Sequence, residues 1–139
     1  IFDELAQKGF LKGAKIAYET IITDFSDDDN KLIKSKPLLS KKIQDQFNEA
    51  LKERSKRGHF AEITFIGINS AEIKEHKNIN DILKVTVDFV AEVITCIKDK
   101  DKKIVSGNPE KIKKIYDTWV FSRDTKSNNP NWQLIDILT

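Results

Sequence analysis

Residues 83–93 read "LKVTVDFVAEV". Leu83, Val85, Val87, Phe89, Ala91 and Val93 fall on one side of an extended chain, and Lys84, Thr86, Asp88 and Glu92 on the other. A period of two is the signature of a half-buried strand, because successive side chains leave opposite faces of the pleat. The pattern extends to a strand of about 16 residues, against the usual 5–6. Upstream, "EITFIGINSAEI" (62–73) is a strand whose apolar phase slips near Gly67, the mark of a bulge or bend. Downstream, "IKKIYDTWVFSRD" (112–124) and "NWQLIDIL" (131–138) make a third and a fourth strand, and "KDKDKKIVSGNPEK" (98–111) reads as a polar connection. Long, bulged strands curl.

The first third of the chain has the helical period instead. In "FLKGAKIAYETIITDF" (10–25), Phe10, Leu11, Ala14, Ala17, Tyr18, Ile21, Ile22 and Phe25 share an arc of about 140°. "SDDDN" (26–30) stops that pattern. Phe2, Leu5 and Ile16 fall on nearly the opposite side of the same wheel, and Gly9 sits where the phase changes. Residues 1–9 are therefore expected to be a separate, detached helical segment, with 10–139 as a single domain. A second helix follows "KSKP", with Ser40 as N-cap and Gly58 as the residue just past its end. Leu39, Ile43, Phe47, Ala50 and Leu51 line its inner face, and Lys41, Lys42, Lys52 and Lys56 its outer one. Arg54 falls within the apolar arc, its stem on the core and its head at the rim.

Helices first and strands afterwards imply α+β, with N-terminal helices packed on a curved antiparallel sheet of about four strands. At 139 residues the chain makes one domain with a real core and needs no disulfide. Its single cysteine, Cys96, excludes a disulfide framework, and with two histidines it leaves too little for a zinc site. There is no Gly-rich phosphate loop and no metal spacing, so neither metal nor cofactor is expected. Net charge is +2, too small for a nucleic-acid domain. The charge is unevenly spread: residues 31–57 hold nine Lys/Arg against three Asp/Glu, and residues 98–114 seven against three. No stretch is long and apolar enough to span a bilayer. The chain begins at Ile1 rather than Met, which suggests a trimmed piece with an anchor upstream.

Asp117 is the one residue that tempts an enzymatic reading. In the third strand it shares a face with Ile115, Trp119, Phe121 and Arg123, and Tyr18 or Tyr116 could stand beside it. Carboxyl groups in an apolar pocket transfer protons in ketosteroid isomerase. The plainer expectation is that Asp117 pairs across the sheet or caps a helix end. "RDTKSNNPN" (123–131) has the composition of a turn, Trp119 and Trp132 are anchors near its ends, and His59 and His76 are rim residues flanking the first strand.

"FLKGAKIAYETIITDF", "LLSKKIQDQFNEAL", "FIGINSAEI", "VTVDFVAEVI", "IYDTWVFSRD" and "NPNWQL" cover most of the chain in order. Together they resemble the C-terminal domain of the mitochondrial inner-membrane translocase subunit Tim-forty-four and its bacterial relatives. The most specific part is the tail, Asp-x-Trp-x-Phe-x-Arg-Asp followed by Asn-Pro-Asn-Trp-x-Leu. The chain departs from the family at Asp27-Asp28-Asp29-Asn30, where a Gly-Asp turn is common. The resemblance implies a cone similar to the nuclear-transport-factor-two fold. It also implies a non-catalytic peripheral module that binds cardiolipin-rich, anionic inner membrane and a membrane-protein or chaperone complex, without nucleic acid. The lysine and isoleucine content points to a bacterial inner membrane, with the mitochondrial one as the eukaryotic equivalent. On this reading Phe2, Leu5, Lys41, Lys42, Lys52 and Lys56 meet the membrane. Tyr18, Ile22, Phe47, Phe89, Asp117 and Trp119 line a pocket inside the cone. The alternative is a small-molecule binder or isomerase-like enzyme using that pocket.

Overall fold

The computed structural model describes residues 2–26 and 32–139. Helix α1 (Glu4–Asp24) is capped by Asp3, whose carboxylate accepts from the Ala6 backbone N–H at 2.9 Å. It runs without a break through Gly9, so the expected separate segment is not there. The wheel misled for a local reason: Phe2 precedes the cap, and helical phase does not apply to it. Within α1 the expected stripe holds, with Phe10, Ala14, Tyr18 and Ile21 buried and Leu5 and Ile16 exposed. At its end Asp24 is buried and accepts from the Ser35 N–H and hydroxyl at 2.9 and 2.6 Å. The Asp27–Asn30 turn lies outside the described residues.

A 3-10 turn at Lys36–Leu38 leads into α2 (Lys41–Lys56). Ser40 caps α2 as expected, accepting from the Ile43 N–H at 3.4 Å, and Gly58 follows at φ +69°. A side chain at Gly58 would also strike the stem of Lys100. Ile43 and Leu51 are buried, and Phe47 packs edge-on against Phe25.

The sheet has five strands rather than about four: β1 (Phe60–Ile79), β2 (Ile82–Lys98), β3 (Ile104–Gly107), β4 (Lys113–Asp124) and β5 (Gln133–Ile137). All pair antiparallel in the order β1-β2-β4-β5, and β3 lies beside the end of β2 that β4 does not reach. The extra strand is four residues inside a lysine-rich stretch, too short for its period to show. The β1–β2 register slips between Phe65 and Gly67, as expected, and twice more before Glu75. Asn80 and Asp81, both at positive φ, close this hairpin in two residues, the backbone of the tightest strand connections.

The face of β2 singled out by its alternation is the centre of the core: Leu83, Val85, Val87, Phe89, Ala91 and Val93 are all buried. Both helices pack on that face, α1 along it and α2 from β5 towards β3. The architecture is an α+β cone.

Candidate functional site

The centre of the cone, among the described residues, is packed with aromatic rings. Tyr18 is completely buried, stacks on Phe89 at 4.3 Å between ring centres and touches Trp119 at 4.6 Å. Phe89 and Trp119 are buried too. Four of the six expected pocket residues do come together, Tyr18, Phe89, Asp117 and Trp119, but as solid packing. Ile22 and Phe47 lie at the edge of the same core. Asp117 sits half-buried on β4 and accepts from the Tyr18 hydroxyl at 2.5 Å and from the Thr139 hydroxyl at 3.3 Å. Burial, then the hydrogen bond and charge of Asp117, hold the Tyr18 phenol well above its ordinary range. Tyr18 has no exposed surface at which a substrate could meet it.

An open cavity lies at the hairpin end of the sheet. It is a cleft of about 800 Å³ between the first half of α1, the β1–β2 turn and the loop after β4. Its aromatic wall is Phe2, Phe10 and Trp132: Phe10 meets Trp132 edge-on at 4.6 Å, and Phe2 meets Phe10 at 5.7 Å and His76 at 5.1 Å. Arg123 also lines the cleft, and its Nε is buried with no hydrogen-bond partner among the described residues. Ala6, Gly9 and Gly13 present a bare helix face to this space. Gly9 thus leaves room beside the aromatic wall. A Cβ at either glycine would meet nothing within 4 Å. Gly9→Ala and Gly13→Ala should each stabilise the protein by about 1 kcal/mol, as a helix interior favours Ala over Gly by that much. Urea unfolding checks this, and a loss of stability would mean that the glycines serve close packing.

The sequence singled out Phe2, Gly9, Phe10, His76, Arg123 and Trp132 separately, but not the cleft they make together. The signal was the motif Asn-Pro-Asn-Trp, which turns Trp132 back towards Phe10.

The expected membrane residues are not one patch. Phe2 belongs to the cleft wall, and Leu5 is 80% exposed near it. Lys56 ends α2 by the opposite end of β2, where Arg54 and Arg57 line a groove with Ile97 and Val105. From Leu83 at the cleft to Ile97 at that groove the strand path is on the order of 40 Å. Lys41, Lys42, Lys52 and Lys56 are all exposed, but three have acidic neighbours: Lys41–Asp45 at 2.8 Å, Lys42–Asp136 at 3.5 Å and Lys56–Glu53 at 3.7 Å. Among the described residues, no three His, Cys, Asp or Glu side chains gather as a metal would require, and no helix is long and apolar enough to cross a membrane.

Two helices on one face of a bulged, open antiparallel sheet, with a centre packed with aromatic rings and an aromatic cleft at one end, define an α+β cone domain. The chain belongs to the Tim44-like domain family, whose model matches residues 3–139. It is 30% identical over 96 residues to the probable mitochondrial import inner membrane translocase subunit tin-44 of Caenorhabditis elegans. That match takes in 66% of this chain and 22% of the worm protein, so the chain spans about a fifth of its relative. Among solved structures, the intermembrane space region of the chloroplast protein ARC6 aligns over 93% of this chain and 96% of its own, at 11% identity and a TM-score of 0.46. A designed β-sheet protein aligns over 94% and 86% at 14% identity and a TM-score of 0.35.

Proposed function

We propose that this domain is a non-catalytic, peripheral inner-membrane module that binds anionic lipid and holds a protein partner, the tethering role that its family membership suggests. The observation that carries the lipid half is the surplus of exposed lysine, of which the outer face of α2, with Lys41, Lys42, Lys52 and Lys56 clear of the core, is one part. A lysine close to an anionic surface contributes on the order of 1 kcal/mol. Exposed ion pairs such as Lys41–Asp45 hold their partners weakly, so lipid phosphate can compete for the lysine. The cleft serves the other half: its aromatic wall and Arg123 suit an apolar segment carrying a carboxylate, from a membrane-protein or chaperone complex. The worm relative is named as a mitochondrial inner membrane subunit. The lysine- and isoleucine-rich composition favours a bacterial inner membrane for this chain.

The isomerase-like alternative has one observation in its favour, the meeting of Tyr18 and Asp117 at 2.5 Å. The complete burial of Tyr18 weighs against it. Vesicle flotation tests the lipid reading. Binding to phosphatidylcholine vesicles containing cardiolipin, but not to phosphatidylcholine alone, should fade as salt rises from 0.1 to 1 M and the screening length falls from about 10 to 3 Å. Equal binding to both vesicle types overturns it.

A further inference from the structure

The second basic block, residues 98–114, lies more than forty residues beyond α2 in the sequence. Every residue from 100 to 114 is exposed, and this arm carries six lysines against two acids, Asp101 and Glu110. None of the six lysines has an ion pair among the described residues, whereas three of the four on α2 do. The arm is also built: Asp99 accepts from the N–H groups of Asp101 and Lys103, Asn108 from that of Glu110, and β3 is zipped to the end of β2. Held among the lysines are three aliphatic side chains, Ile104, Val105 and Ile112, at 51%, 50% and 57% exposure. The arm adjoins the end of α2: Lys100 lies against Gly58, and Val105 shares a groove of about 290 Å³ with Arg54 and Arg57. Two basic blocks far apart in sequence thus meet on one end of the molecule.

We infer that this arm, residues 100–114, is the surface that seats on an anionic lipid bilayer, with Ile104 and Ile112 entering the headgroup region. Unpaired lysines around exposed aliphatic side chains complement a surface with phosphates above and hydrocarbon below. A nucleic acid asks for something else: bases stack on aromatic rings and arginine planes, and residues 98–114 contain neither aromatic residue nor arginine. The cleft at the other end of β2 then faces away from the bilayer, free for a protein partner.

The assignment rests on the membrane reading above, and flotation separates the two. The probe is a vesicle of phosphatidylcholine with cardiolipin at about one lipid in five, at 0.1 M salt. Three variants are compared with wild type: Lys103/Lys111/Lys113→Gln, Ile104/Ile112→Thr, and the α2 set Lys41/Lys42/Lys52→Gln. All change exposed side chains, and circular dichroism checks that the fold is kept. Each arm variant should lose at least about tenfold in partitioning, and the α2 variant less than about threefold. Arm variants that float like wild type while the α2 variant falls away overturn the arm and leave the membrane reading standing. A wild type that does not float overturns both.

Discussion

Tyr18→Ala is expected to lower the folding free energy by about 3–5 kcal/mol, the usual cost of emptying a large aromatic site. Tyr18 is the residue on which helix and sheet converge, its ring against Phe89 and Trp119 and its hydroxyl on Asp117. Two gentler variants divide that cost. Tyr18→Phe gives up one hydrogen bond, about 1 kcal/mol. Asp117→Leu strands a buried hydroxyl and should cost about 1–3 kcal/mol, while Asp117→Asn keeps an acceptor and should cost less. Lipid binding per folded molecule should be unchanged in both Asp117 variants. Loss of a measured turnover with unchanged stability would make Asp117 catalytic instead.

The same pair gives the protein a signature in alkali. The folded phenol ionises above its ordinary value of 10, so between pH 10 and that higher value the unfolded chain has lost a proton that the folded one keeps. The contribution is complete below pH 10 and is lost as pH rises, by up to about 1.4 kcal/mol per pH unit. Urea unfolding from pH 8 to 11 should show this fall in the wild type and a shallower one in Tyr18→Phe. Parallel curves would mean that other groups cause it.

Gly107→Val should melt the arm. Gly107 holds φ +82°, which L side chains rarely adopt, and a Cβ there would stand 2.5 Å from the Thr95 carbonyl oxygen and 2.8 Å from the Cys96 Cα. Both are backbone atoms of β2 and cannot swing aside. The strain of about 1–3 kcal/mol, with the clash added, exceeds what three paired positions return. β3 should therefore detach while the rest of the fold survives. Hydrogen exchange at the Asn108 N–H, bonded to the Thr95 carbonyl at 3.2 Å, should speed by roughly a hundredfold with the β2–β4 ladder unaffected. Unchanged exchange would show that the close approach is relieved elsewhere.

How much of this was legible follows from the physics of each residue. The alternation of 83–93 named the buried face of β2 residue by residue, because burial on one side of a sheet imposes a period of two. Ser40, Gly58 and the slip at Gly67 were legible because each meets a local backbone demand. The end of β1 was not, since its polar residues 74–78 are extended by pairing with β2 rather than by their own preference. Tyr18 and Asp117 were set side by side as a question, but only packing shows that Phe89 and Trp119 close the space around them. The cleft was hidden because it joins Phe2 and Phe10 to Trp132 and Arg123, more than a hundred residues later. The arm was hidden because a run of lysines looks alike whether its charges are paired or free.

The distance in sequence between Tyr18 and Asp117, 99 residues, also sets a clock for synthesis. At about 5–20 residues per second, α1 leaves the ribosome some 5–20 s before the strand that receives it. Through most of that interval the stripe lacks part of its cover: Phe65 and Phe89, which meet Tyr18, come with β1 and β2, but Trp119 and Phe121, which meet Tyr18 and Phe10, come only with β4. The β1–β2 hairpin needs only its own residues and closes first. The helix that begins the chain is thus among the last pieces to dock, and until it does, its apolar stripe is open to whatever holds nascent chains.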